Sequence, residues 1–308
     1  MQAALIGLGT MGPGIAAVLS RGGIAVKAYD AAEAARERAR SQLDLAYGVL
    51  DRLGTVAPEG GTAPVTICDD LASAVEGADL VIENVPEKIE IKAEVYRAID
   101  PLIGPDVIVA TDTSGIPIST LQGFVSNPER FVGMHWSNPP HLIPMIEVIA
   151  GGQTAPATVE FIVGLIRTLK LLPVVVKKDV PGFVENRVLY ALLREVVALV
   201  EDGVIDPADI DTCVSWGIGY KLGIVGPMAL LDMAGLDTYE NVSSFLNREL
   251  STRGDVSPFV SERTGKGKLG LKSGGGVYDY TPDGIKALQT ERAAKFVAVR
   301  RALEGRAK

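Results

Sequence analysis

Through the first half of the chain, short apolar runs alternate with longer amphipathic stretches. That rhythm predicts a parallel sheet covered by helices. Strands are expected at residues 3–6, 25–29, 65–67, 80–82, 107–110, 131–135, 145–149 and 172–176. Helices are expected from the glycine-rich turn to about residue 21, and at 31–53, 71–76, 91–103 and 157–169. Beyond Asp179-Val-Pro-Gly182 the period changes to that of helices alone, at 184–200, 207–216, 227–250 and 287–303. The expected organisation is an α/β dinucleotide-binding domain at 1–179 and an all-α domain at 180–308.

Composition narrows the class. A chain of 308 residues with 47% hydrophobic residues and 34 glycines can bury a large core, divided between two domains. The net charge of -8 argues against nucleic acid and anionic membrane surfaces as partners. No apolar run reaches membrane-spanning length, and the N-terminal residues lead straight into a strand, so neither a membrane anchor nor a signal peptide is expected. Cys68 and Cys213 are too few and too far apart for a disulfide framework or a metal site, and read as small buried thiols. The expectation is a soluble cytoplasmic protein without a metal.

The turn after the first strand is Gly7-Leu-Gly-Thr-Met-Gly12, and Asp30 ends the second strand about 20 residues further on. Gly7 permits the tight turn, Gly9 lets a pyrophosphate approach the backbone, and Gly12 lets helix and strand pack closely. The phosphates then face the free N–H groups of the helix start. Asp30 would accept hydrogen bonds from the adenosine ribose and repel a 2′-phosphate, which favours NAD over NADP. It also fits a helix capping box, Asp30-Ala-Ala-Glu33, and the two roles are compatible.

Both histidines lie between Gly133 and Glu147. His135 closes an apolar run just before a Pro-Pro break, where a strand hands its last side chains to a pocket. Glu147 sits inside the next apolar run, and a charge there is costly to bury unless paired. A His oriented by a buried Glu makes a general base. The plainer alternative is a loop histidine and a surface glutamate.

Several separated motifs occur in order. They are Gly7-Leu-Gly-Thr-Met-Gly12, Ala78-Asp-Leu-Val-Ile-Glu-Asn-Val-Pro-Glu87, Thr113-Ser114, His135-x-x-Asn138 with Glu147, Asp179-Val-Pro-Gly-Phe-Val-Glu-Asn-Arg187, Gly226-Pro227, and Leu231-Asp-Met-Ala-Gly-Leu-Asp237. In these the chain resembles the 3-hydroxyacyl-CoA dehydrogenase family along nearly its whole length. The resemblance implies a Rossmann-type NAD-binding domain, then a helical domain that forms a homodimer. It implies His135 as base and Glu147 as its partner, with Ser114 and Asn186 around the reacting oxygen. Asn138 is implied near nicotinamide and substrate. Gly7, Gly9, Thr10, Met11, Gly12, Asp30, Glu87, Lys92 and Lys272 are implied at the cofactor. Each has a plainer reading: Ser114 and Asn186 as caps, Lys92 as an exposed helix lysine, and Lys272 as a solvated residue before Ser273-Gly-Gly-Gly276.

The chain departs from the acyl-CoA enzymes where they hold the coenzyme. Residues 51–64 carry one arginine and no lysine, so a 3′-phosphate and pyrophosphate find little charge-assisted help. Pro144 stands where the family has a lysine, and Trp136-Ser-Asn-Pro-Pro-His141 makes the pocket smaller and more polar. Asp112-Thr-Ser-Gly-Ile-Pro117, residues 177–190 and Asp211-Thr-Cys-Val-Ser-Trp-Gly-Ile-Gly-Tyr220 are similar to a branch of the family that oxidises a pyridine aldehyde with NAD in vitamin B6 breakdown. An aldehyde has no hydroxyl proton, and neither cysteine lies in a matched segment, so water activated by His135 is the expected nucleophile. Lys221 is the first candidate for the substrate's ring carboxylate, with Arg187, His141 and the N–H groups near Ser114-Gly115 as alternatives. Two other functions stay open: an L-3-hydroxyacyl-CoA or small hydroxy-acid dehydrogenase, and a non-catalytic, crystallin-like structural protein.

Overall fold

The computed structural model describes residues 1–305, so residues 306–308 of the expected second domain lie outside it. The chain divides into two compact units, Met1–Asn186 and a second that starts at Arg187, a few residues beyond the break expected at Asp179.

The first unit is built on eight strands: β1 (Gln2–Ile6), β2 (Ala25–Tyr29), β3 (Val65–Ile67), β4 (Leu80–Glu83), β5 (Ile108–Thr111), β6 (Phe131–Trp136), β7 (Met145–Ile149) and β8 (Leu172–Val176). They form one sheet in the order β3-β2-β1-β4-β5-β6-β7-β8. The helices of this unit are α1 (Gly12–Arg21), α2 (Glu33–Leu53), α3 (Leu71–Val75), α4 (Ile89–Ile99), α5 (Ile118–Leu121) and α6 (Pro156–Thr168). β1, β4, β5 and β6 are buried along nearly their whole length, which is why they read as continuous apolar runs rather than as alternations. α2 buries Ala35, Ala39, Leu43, Ala46, Val49, Leu50 and Leu53, one stripe at helical spacing.

Two strands depart from the expected parallel sheet, β7 and β8, which both run against the other six. β7 runs antiparallel to β6, while β7 and β8 are again parallel. The reason is loop length: residues 137–144 are too few to hold a crossover helix, so the chain must turn back. That reversal sets His135 directly opposite Glu147 in the strand register.

After α7 (Glu185–Glu201), which begins just before the second unit, come α8 (Pro207–Thr212), a π-helical turn at Cys213–Gly219, α9 (Tyr220–Leu222), α10 (Pro227–Ala234), α11 (Leu236–Leu246), α12 (Pro258–Gly265) and α13 (Pro282–Glu304). The single helix expected at 227–250 is two, broken at Gly235, whose φ of 92° no helix accommodates. α12 is absent from the sequence reading; Ser257 caps it and Pro258 opens it. Among the described residues, the second unit buries only Ile210 and Val297 as apolar side chains, while Trp216, Met228, Met233 and Phe245 stay largely exposed. No single described helix is long and apolar enough to cross a membrane.

Candidate active site

The glycine turn separates into two kinds of position. A Cβ on Gly12 would lie 2.2 Å from the Gly7 carbonyl oxygen, and one on Gly7, at φ 108°, would lie 2.4 Å from the Asn84 carbonyl oxygen. Those two glycines let β1, α1 and β4 close on one another. At Gly9 a Cβ would meet nothing within 4 Å, so the backbone there is open to a ligand. The N-cap residue of α1, Met11, makes no side-chain capping bond, so the helix start keeps a backbone donor such as the Gly14 N–H for an anion. Asp30 takes the Leu8 N–H on one carboxylate oxygen and the Ala32 N–H on the other, both at 2.8 Å, and so holds the turn against β2. An open backbone at Gly9, an uncapped helix start and a carboxylate beyond β2 fit a dinucleotide. Thr10 is exposed and Met11 partly so, on the same rim.

The second half of the site is built from buried charge. His135 Nδ1 and Glu147 Oε2 are 2.8 Å apart, with the residues 6% and 1% exposed. Glu147 Oε1 accepts the N–H groups of Val184 (2.9 Å) and Glu185 (3.1 Å) at the beginning of α7. A helix N-terminus favours a negative charge, so this carboxylate is held in place from two directions. Burial works against its ionised form, but the bond from His135 and the two backbone N–H groups win and hold its pKa below the ordinary value. Burial likewise works against the imidazolium. The Glu147 hydrogen bond and the charges of Asp112, Glu147 and Glu185 outweigh it and raise the His135 pKa above the usual histidine value. With Nδ1–H turned to Glu147, the neutral ring presents Nε2 as the basic nitrogen. The buried Phe183 ring packs 5.8 Å from the imidazole.

Two residues that stand in the quoted motifs but carried no expected role join the halves. Asp112, just beyond β5, accepts the Trp136 N–H at 2.7 Å. The Asn84 amide, beyond β4, is oriented so that its nitrogen donates to Asp112 Oδ2 and its oxygen accepts from the Gly12 N–H, both at 2.9 Å. The glycine turn is thereby tied to the strand that carries His135. Burial pushes the Asp112 carboxyl up to about 7.

Lys92 and Glu87, both expected at the cofactor, also have partners within the protein. Lys92 is fully buried, with Nζ 2.8 Å from Glu83 Oε1, 3.5 Å from Glu87 Oε2 and 3.3 Å from the Val85 carbonyl. The charge of this ammonium is thus met inside the protein. The second Glu83 oxygen accepts from Tyr96 and Thr111. Glu87 Oε1 accepts the Thr113 hydroxyl and the N–H groups of Ser114 and Gly115, at 2.6–3.0 Å. The pair thus braces the loop that presents Ser114. Asn186 Nδ2 donates to the Ser114 carbonyl at 2.8 Å, so one of its two N–H groups is committed to that same loop. The Ser114 hydroxyl has no protein partner among the described residues, and its residue is exposed.

Asn138 is exposed beside a cis peptide to Pro139. His141 lies partly buried on the same loop, next to α1, where a Cβ on Gly14 would come within 2.8 Å of its ring. Lys221, in α9, and Lys272, in the loop after α12, belong to the second unit. A ring nitrogen of His135 and one carboxylate oxygen each of Glu147 and Glu185 lie within 4.8 Å of one another, a spacing a divalent cation could bridge. The lone pairs of Glu147, however, are already engaged by the imidazole and two backbone N–H groups, the arrangement of a proton-handling pair. Glu83, Asp112 and Glu185 each offered the signal that drew attention to Glu147, a charge at the edge of an apolar run.

Comparison with known proteins bears on this arrangement. Residues 2–180 match the model of the 3-hydroxyacyl-CoA dehydrogenase NAD binding domain, and residues 182–280 that of the C-terminal domain of the same enzymes. The chain is 69% identical over 303 residues, 98% of either chain, to 5-formyl-3-hydroxy-2-methylpyridine 4-carboxylate 5-dehydrogenase of Mesorhizobium japonicum. A solved structure described as that dehydrogenase, "an NAD+ dependent dismutase", superposes with a TM-score of 0.97 at 69% identity, covering 99% of this chain and 98% of that one. A probable 3-hydroxybutyryl-CoA dehydrogenase of Deinococcus radiodurans is 33% identical over 283 residues, 91% of this chain and 100% of its own. With matched models over both halves and relatives alike along nearly its whole length, this chain belongs to the 3-hydroxyacyl-CoA dehydrogenase family.

Proposed function

We propose that this NAD-dependent dehydrogenase oxidises the formyl group of 5-formyl-3-hydroxy-2-methylpyridine 4-carboxylate to a second carboxylate, in vitamin B6 degradation. The observation that carries this reading is the 69% identity over 98% of both chains to the relative of that name. NAD, when bound, supplies the acceptor for the hydride on the formyl carbon. Water adds to the carbonyl as His135 Nε2 takes one of its protons. Glu147 keeps Nδ1–H turned away from the substrate and stabilises the imidazolium that forms. The unpartnered Ser114 hydroxyl and the second N–H of Asn186 donate to the developing oxyanion. Asn138 is exposed on the loop that leaves β6, two residues beyond Trp136. The adduct resembles a secondary alcohol with one further hydroxyl, so an apparatus for oxidising alcohols needs little alteration.

The test is NADH formation, followed by absorbance, with the pyridine aldehyde, 3-hydroxybutyrate and 3-hydroxybutyryl-CoA side by side. The aldehyde should be turned over with the highest kcat/KM. A preference for the CoA ester would transfer the assignment to the acyl-CoA branch, and no NADH from any substrate would favour a structural role. We further propose that a second copy of the chain covers the exposed apolar side chains of the second unit, giving a homodimer. Light scattering at micromolar concentration should then report twice the chain mass. A reducing cytoplasm suits the unpaired Cys68 and Cys213.

A further inference from the structure

Oxidising an aldehyde through water releases two protons, where oxidising an alcohol releases one. The water oxygen bonds to the formyl carbon, and the carbonyl π pair moves to oxygen. The carbon's hydrogen then leaves with its bonding pair for NAD+. Aldehyde, water and NAD+ become carboxylate, NADH and two protons. One imidazole can hold only one of those protons.

We propose that Glu185 is the second proton acceptor of the site. Once one of its carboxylate oxygens, within 4.8 Å of a ring nitrogen, closes to hydrogen-bond distance, it takes from His135 the proton drawn from water, which frees the imidazole to take the second proton from the remaining hydroxyl of the adduct. The inference rests on the aldehyde reading given above.

The geometry singles out this residue among the groups that face the imidazole. Those groups are Glu147 from β7, Asp112 from beyond β5, Glu185 from the first position of α7, and the apolar ring of Phe183. Glu147 is engaged on both oxygens. Asp112 takes Trp136 N–H on one oxygen and the Asn84 amide on the other. Glu185 uses only Oε1, which accepts the Ser137 hydroxyl at 2.6 Å. Its Oε2 is buried and has no partner among the described residues. A carboxylate oxygen of Glu185 lies within 4.8 Å of a ring nitrogen of His135. A buried acceptor without a donor is costly, and a proton is the smallest thing that satisfies it. Ser137, two residues beyond His135 and just past the end of β6, anchors the other oxygen and so fixes which one remains open.

The test is Glu185→Gln in the full-length enzyme. Glutamine retains an oxygen for the Ser137 hydroxyl but cannot accept a proton. The aldehyde kcat should fall about 100-fold, while NAD affinity, read by fluorescence titration, stays unchanged. The second readout is the titration of the His135 ring by NMR on histidine-labelled protein, assigned from the spectrum of His135→Asn. Losing the neighbouring negative charge should lower the imidazole midpoint by about one unit. Glu185→Asp keeps the carboxylate and should recover part of the rate and of the midpoint, and it serves in place of the glutamine variant if that one fails to fold. A wild-type kcat in Glu185→Gln, or an unmoved midpoint, overturns the proposal. So does wild-type activity that EDTA abolishes and a divalent cation restores. If the wild type oxidises no aldehyde, the functional reading fails, while the NMR arm still decides whether Glu185 and His135 are coupled.

Discussion

The two halves of the first unit are made by opposite means. Around the β1–α1 turn the site is formed by taking side chains away, so that backbone can meet backbone or a ligand. Around β4 to β7 it is formed by burying charge: Glu83, Lys92, Asp112, His135 and Glu147 all lie inside, each tied by hydrogen bonds. The first construction is sensitive above all to volume. The second tolerates little change in charge and carries its own pH dependence. Binding a dinucleotide calls for close approach, whereas moving protons calls for groups whose charge can alter.

The largest expected effect tests whether the halves are separable in function. His135→Asn should lower turnover by roughly 10²–10⁴ while NAD binding persists. Near-normal turnover, or lost NAD binding, would break the division. Next comes Lys92→Met, which leaves the Glu83 carboxylate buried without its ion pair. A loss of about 3–5 kcal/mol is expected in denaturant unfolding, because the abandoned charge outweighs any packing gained. A variant as stable as the wild type would mean that burial of charge is not what holds this half.

The glycine half allows a paired test. Gly12→Ala forces a methyl group into the Gly7 carbonyl and should cost about 1–3 kcal/mol of stability. Gly9→Ala meets open space, so its stability should match the wild type while NAD binds on the order of tenfold more weakly. If both alter stability equally, the open face at Gly9 is not the ligand's.

The smallest effect concerns pH. Asp112 has a carboxyl raised to about 7 in the folded protein, against an unperturbed 3.8. Between those values the folded state holds a proton that the unfolded state has released, so its contribution to stability is lost as pH rises through that window. His135, also raised, acts in the same direction as pH climbs through its folded pKa. Thermal melts between pH 5 and 8 should therefore decline in the apo protein. Asp112→Asn should flatten the slope by on the order of 1 kcal/mol, about 2–4 °C. A slope unchanged in that variant would remove Asp112 from the account.

Much of this was legible in the sequence, for stateable reasons. Buried parallel strands must be continuously apolar, so β1, β4 and β5 stand out. Glu147 stands out because an acid inside such a run needs a partner, and the strand register supplied His135. The tie from Gly12 through Asn84 and Asp112 to Trp136 was not legible, since it joins positions far apart in the chain whose meeting depends on sheet order. The burial of Lys92 was not legible, because a helix lysine is ordinarily exposed and the ion pair with Glu83 draws this one inward. The break at Gly235 was missed because the apolar period continues across it, although one backbone angle ends the helix. The reversal at β7 was implied by the shortness of the 137–144 loop, a constraint of chain reach rather than of composition.

Glu147 is gripped at the start of α7 by main-chain N–H groups, not by side chains. Main-chain donors are present whatever residue occupies positions 184 and 185, proline excepted. The orientation of the base is therefore insulated from substitution at those two positions. A lineage could vary the side chain at position 185, and with it the reaction the histidine serves, without dismantling the pair beneath it.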